Sequence, residues 1–287
     1  MACQSLPHSP KLNQSSLKES GGELVRIPTL ESQAHKPEFL NAYLFRPKGP
    51  GPFPAIVALH GCSGIVGKNG KFHARDLDWA TRLSKSYVVL YPDSFATRDI
   101  DEICTKKVGV TMPKTERSFD AVAALKWLST QTYVDKEDVG IMGWSNGGSS
   151  LLWAIDENFK KPDDLKNDFK YAITFYPGCH SVNRDLNWKP RVHVDILMGE
   201  LDNWVSPKTC SSLVEKFKKS KLMDITLYPN SYHDFDAPNI QPTHLHNLAS
   251  TATNMETATI ATNSVTREEA IKKVMDILNA RLANRVK

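Results

Sequence analysis

At 287 residues with 40% apolar side chains, the chain is long enough to bury one large core. Its net charge of +4 comes from 36 basic and 32 acidic residues that are interspersed, and no basic stripe with interleaved aromatics points to nucleic acid. No apolar run reaches the roughly 18 residues a membrane span needs, so a transmembrane segment is not expected.

Residues 1–21 are polar and rich in Ser, Lys, Gln and Pro, without the apolar centre of a signal peptide. They are expected to form a disordered or loosely attached tail ahead of a single domain at 22–287. Cys3 reads as an incidental tail cysteine or as the remnant of a lipid-attachment site. Glu23 to Ile27 and Leu40 to Phe45 read as two early strands, and a Pro/Gly turn at 49–54 then delivers the apolar run Ala55 to Leu59. A continuous apolar run of that length suits a strand buried on both faces. Helical spacing comes next at Phe72 to Leu83, then a buried strand at Tyr87 to Leu90 and a helix at Thr115 to Leu128. The apolar run Val139 to Met142 enters a glycine-rich turn, and a helix of small residues leaves it. Strands at Tyr171 to Phe175, Val192 to Met198 and Met223 to Leu227, a helix at Thr209 to Phe217 and a closing amphipathic helix at Thr266 to Leu282 complete the series. Residues 248–263, rich in Thr, Ala and Asn, read as a mobile loop. Strands alternating with helices predict an α/β fold: a mostly parallel central sheet, right-handed crossovers and helices on both faces.

In such a sheet, sites form beyond the carboxyl ends of the strands. Gly143-Trp144-Ser145-Asn146-Gly147 stands at one of those ends. A strand that reverses at once into a helix crowds the serine backbone, so the residues two before and two after it must lack a Cβ. That turn presents a hydroxyl above the first N–H groups of the following helix. By chance alone the pentapeptide is common, and its meaning depends on the residues at the ends of the other strands. After Leu59 comes His60-Gly61-Cys62-Ser63-Gly64, a turn whose Cys62 N–H can join that of Asn146 in a two-donor oxyanion hole. After Met198 comes Gly199-Glu200-Leu201-Asp202, with two candidates for an acid that orients an imidazole; Asp202, deeper in the turn, is preferred to Glu200. After Leu227 comes the segment holding His233, the first histidine after the last strand; His244 and His246 lie in the looser region beyond. The order Ser145, Asp202, His233 is that of the α/β-hydrolases.

With these placements the chain resembles the dienelactone hydrolase family of α/β-hydrolases. The resemblance runs from about residue 22 to 287 and rests on 60–64, on Pro92-Asp93-Ser94-Phe95 with Arg98, on 143–148, on Gly199-x-x-Asp202 and on His233-x-Phe235-Asp236. It implies a single-domain hydrolase of small carboxylic esters or lactones, with Ser145 as nucleophile, Asp202 as acid and His233 as base. Founding members of the family carry a cysteine nucleophile and a glutamate near the oxyanion turn. Ser145 and the absence of a carboxylate at 60–64 point to a conventional serine esterase. A peptidase or amidase of the same fold, and a catalytically silent binding protein, are the alternatives. Trp144 and Trp204 flank nucleophile and acid and are expected either to line an apolar pocket or to pack in the core. Asp93 and Arg98 are expected to order the loop beside the oxyanion turn, or to form a surface ion pair.

Four of the five cysteines fall after strand ends. In an α/β-hydrolase sheet the strands concerned are neighbours, so the expected pairs are Cys62–Cys104 and Cys179–Cys210. Pairing would indicate a periplasm or the cell exterior, and free thiols a cytoplasm. No His-Glu-x-x-His, Cys-x-x-Cys or Walker-type loop occurs, so no metal or cofactor is called for. The expected partner is a small ester or lactone, and the sequence carries no sign of an oligomeric state.

Overall fold

Residues 12–30, 37–107 and 112–284 are described by the structure, a computed structural model. Cys3, the first half of the expected tail and residues 108–111 lie outside them. Eight strands make the central sheet: β1 (Gly22–Pro28), β2 (Phe39–Phe45), β3 (Phe53–Leu59), β4 (Val88–Pro92), β5 (Val134–Trp144), β6 (Ala172–Phe175), β7 (Val194–Gly199) and β8 (Met223–Tyr228). Their spatial order is β1-β2-β4-β3-β5-β6-β7-β8. β1, β2 and β4 pair antiparallel in turn, and every pairing from β4 through β3 to β8 is parallel. The apolar runs explain the arrangement. β3, β4 and β6 are buried along nearly their whole length, as strands covered on both faces must be.

The helices are α1 (Gln14–Glu19), α2 (Ala74–Leu83), α3 (Ser118–Leu128), α4 (Asn146–Ala154), α5 (His180–Arg184), α6 (Pro207–Lys216) and α7 (Ser264–Asn284). Arg267 of α7 reaches Asp78 of α2 at 2.7 Å, and α3 packs against α4. The helix expected from Thr115 begins instead with one wide π-type turn, Pro113–Arg117, before α3. β5 starts at Val134, because the polar stretch 135–138 continues the strand at its exposed end.

Two expectations are corrected. Part of the supposed loose tail is docked: Asn13 caps α1 by accepting the Ser15 N–H at 3.0 Å, and Leu17 is buried on the sheet edge. Gly22 makes room for it, since a Cβ there would meet Leu17 Cδ1 at 2.5 Å. One apolar residue per turn was too weak a period to reveal so short a helix. The segment 248–263 is likewise held in place. Leu248 and Thr251 are buried, and β10 (Ala258–Ile260) pairs antiparallel with β9 (Thr243–Leu245). A three-residue strand carries too little alternation to be read from sequence.

Candidate active site

The turn after β5 places Ser145 at φ 54°, ψ −118°, a strained conformation for any residue with a Cβ. Packing enforces it. A Cβ on Gly143 would meet the Gly147 carbonyl oxygen at 2.6 Å, and one on Gly147 would meet that of Leu59 at 2.1 Å. The Ser145 N–H donates to Phe175 O at 3.0 Å, which fixes the turn to β6.

Three side chains from separate segments meet here. Ser145 Oγ lies 2.9 Å from His233 Nε2, and His233 Nδ1 lies 2.7 Å from Asp202 Oδ2. A carboxylate only accepts, so Nδ1 carries the proton and Nε2 is free to accept the serine O–H. Asp202 Oδ1 is itself held by the N–H groups of Trp204 and Val205 at 2.9 and 3.0 Å. Glu200, the other candidate acid, is exposed, whereas Asp202 is buried against the ring.

Burial works against the charged form of His233, but the Asp202 charge and hydrogen bond outweigh it and raise its pKa above the ordinary value. Its ring lies between Tyr176 and Trp204, with centroids at 4.4 and 4.8 Å. β10 steadies the loop from behind: the Ala261 N–H donates to His233 O at 3.2 Å, and the Thr259 N–H to Asn203 Oδ1 at 2.8 Å. The segment read as a mobile loop therefore ties the histidine loop to the acid loop.

Neither the Cys62 N–H nor the Asn146 N–H donates a hydrogen bond among the described residues. Both border a cavity of about 180 Å³ at Ser145, which is also lined by Ile103, Cys104, Trp204 and Val205. It shares Ser149, Gly178, Trp204 and Val205 with a larger cleft of about 690 Å³ that reaches Trp153 and Thr251. Trp204 is thus at the cavity, whereas Trp144 is not. Trp144 is fully buried, and its Nε1–H donates to Asp236 Oδ2 at 2.9 Å. The ring at a strand's last position points into the packing between sheet and helix, not across the turn.

Asp236 also accepts from Trp79 Nε1 at 2.8 Å and from the Tyr176 hydroxyl. It forms a buried polar hub beneath the histidine loop. Beside it, Arg75 pairs with Asp234 at 2.8 Å and Asp76 at 3.2 Å. Burial would raise the Asp234 pKa, but the Arg75 charge holds it below the usual carboxylate range. The sequence offered Asp236 as part of a motif but gave no sign of Arg75 or Tyr176 as its neighbours.

Arg98 forks onto both oxygens of Asp120 at 2.8 Å and reaches Ser94 O at 2.7 Å. Asp93 accepts the N–H groups of Phe95 and Ala96, each at 3.0 Å. The two residues do order that loop. Cys62 is bonded to Cys104 and Cys179 to Cys210. Among the described residues, His193, Asp195 and Asp224 form the one group close enough to hold a metal ion. They sit at the opposite end of β7 and β8 from Ser145 and read equally as surface ion pairs. No helix among the described residues is long and apolar enough to cross a membrane.

A mostly parallel eight-stranded sheet, with a serine on a glycine-flanked turn after the strand beside β3, is the α/β-hydrolase fold. Within that class, the chain belongs to the dienelactone hydrolase family, whose model matches residues 40–282. Three solved structures illustrate the fold likeness. A dienelactone hydrolase-like promiscuous phosphotriesterase from metagenomic libraries is 15% identical, with a TM-score of 0.63, covering 91% of this chain and 98% of that one. Esterase 2 of Thermogutta terrifontis, phosphoramylated by tabun, is 14% identical, with a TM-score of 0.60 and coverage of 91% and 95%. Dipeptidyl peptidase 4 of Porphyromonas gingivalis is 19% identical, with a TM-score of 0.54, covering 75% of this chain. This chain spans only 32% of that peptidase's length. No curated protein matches the chain.

Proposed function

We propose that the protein is a serine hydrolase of small carboxylic esters or lactones, acting through an acyl-enzyme on Ser145. The observation that carries the reading is the continuous relay from Ser145 Oγ through His233 to Asp202, at 2.9 and 2.7 Å. His233 Nε2 takes the hydroxyl proton as Oγ attacks the carbonyl carbon. The carbonyl oxygen, now negative, is held by the N–H groups of Cys62 and Asn146. The imidazolium, stabilised by Asp202, returns the proton to the departing alkoxide. Water then repeats the sequence on the acyl-enzyme and frees the acid. The small cavity at Ser145 accommodates a compact acyl or alcohol group, and Trp204 forms one wall of it. The two cysteine pairs favour an oxidising compartment, a periplasm or the cell exterior.

A fluorophosphonate probe should label the wild type and not Ser145→Ala, and short p-nitrophenyl esters should be hydrolysed far faster than aminoacyl amides. A Ser145→Ala variant that keeps its esterase activity would refute the assignment. Preference for the amides would favour a peptidase instead.

A further inference from the structure

The two proposed oxyanion donors ride on different segments, Cys62 on the turn after β3 and Asn146 at the start of α4. Something must hold those segments in one register, because an oxyanion hole loses its value when a donor drifts by a fraction of an ångström. Arg117, the last residue of the wide turn before α3, spans them. Its Nη2 donates to His60 O at 2.6 Å and its Nη1 donates to the Asn146 side-chain oxygen.

The hydrogen bonds behind the turn run in one direction. His60 Nδ1 is 2.8 Å from Gly61 O and must donate to it, while Nε2 accepts the Ser94 N–H at 3.3 Å. In a trans peptide the N–H points opposite to the C=O, so a fixed Gly61 carbonyl aims the Cys62 N–H the other way. Arg117, gripping the preceding carbonyl, fixes the neighbouring peptide plane. Burial and the nearby Arg117 charge hold the His60 pKa well below its ordinary value, so the imidazole stays neutral and keeps these roles.

Arg117 is only 1% exposed. The adjacent Glu116 accepts the Met112 N–H and the Thr115 hydroxyl, and Asp120, one turn on, gives both oxygens to Arg98. The hydrogen-bond acceptors of Arg117 among the described residues, the Asn146 side-chain oxygen and His60 O, are both neutral. Burial pulls its pKa down to about 10, which still leaves it charged at neutral pH. A buried guanidinium without a paired carboxylate costs stability, and structure alone could be supplied by an apolar side chain. Its planar fork, with two acceptors on two different segments, is the feature an apolar residue could not supply.

We infer that Arg117 is a positioning residue of the oxyanion hole, clamping the turn that carries the Cys62 N–H to the helix start that carries the Asn146 N–H. The inference rests on the reading of Ser145 as nucleophile. Arg117→Lys, Arg117→Met and Asn146→Ala test it, the last leaving the backbone donor intact while removing the side-chain oxygen that Arg117 grips. Activity is expressed per active site titrated with the fluorophosphonate, so misfolded protein does not count. For Arg117→Met, kcat should fall by about 10²-fold with KM within about twofold, and phenylboronic acid, which forms a tetrahedral serine adduct, should bind weaker by a similar factor. Arg117→Lys keeps the charge but cannot bridge both acceptors, and should fall between Met and wild type. Asn146→Ala should move kcat and boronate affinity in the same direction as Arg117→Met. If Arg117→Lys and Asn146→Ala keep wild-type kcat per titrated site and wild-type boronate affinity, the clamp is refuted. Ser145→Ala is the separate control: full activity there would overturn the nucleophile assignment itself.

Discussion

Burial alone would make His233 a poorer base, and the Asp202 carboxylate 2.7 Å away reverses that. This sets the sign of the pH dependence. The base must be neutral to accept the serine proton, so kcat/KM should fall as pH drops through a His233 pKa lying above the ordinary histidine value of about 6.5. Replacing Asp202 by Asn removes the charge that raises this pKa, so the acid limb should move to lower pH. The same variant should lose turnover on a scale of about 10⁴ with the fold kept, because the imidazole no longer holds the productive tautomer. Glu200→Gln should stay near wild type, since that side chain is exposed. A crippled Glu200→Gln beside an active Asp202→Asn would reverse the choice of acid. At this scale much was legible. Ser145, Asp202 and His233 each come after a strand end, which is where the fold gathers reactive groups. Trp144 was not, because adjacency in the chain does not say on which side of a turn a ring lands.

Among the elements, the strands read cleanly because their apolar runs are continuous, while short pieces held by tertiary contacts did not. β10 has three residues, yet it backs the His233 loop and binds the acid loop through Thr259 and Asn203. The disulfides act at the same level. Cys62–Cys104 closes a separation of 42 residues and Cys179–Cys210 one of 31. Loops of that size correspond to stabilisation of about 3–4 kcal/mol each in the chain-entropy picture. Denatured, non-reduced protein should therefore titrate with one free thiol, from Cys3, and reduction should lower Tm markedly. Four or five free thiols would contradict the pairing. Reduction should cost activity mainly through the first bond, whose Cys62 carries a proposed oxyanion donor and whose Cys104, like Cys62, lines the cavity.

The cavity is a property of the whole molecule. Its walls come from the turn after β3, residues 103 and 104, the turn at Ser145 with the start of α4, Gly178, the loop at Trp204 and Val205, and residues 249 and 250, six regions far apart in the chain. Trp204→Ala should widen the small chamber and shift the preference among p-nitrophenyl esters toward longer chains. Trp144→Ala, deep in the core, should cost about 3–5 kcal/mol of stability instead and leave that preference unchanged. Equal chain-length profiles for Trp204→Ala and wild type would remove Trp204 from the pocket. By itself the sequence determined the parallel sheet, the chain order of Ser145, Asp202 and His233 and the glycines of the turn at Ser145, because these depend on local periodicity and on backbone sterics. Only the tertiary structure decided which ring faces the cavity, which guanidinium bridges the turn after β3 and the start of α4, and which short strand backs the His233 loop. Those outcomes depend on side-chain directions and on contacts between segments far apart in the chain, which no local pattern encodes.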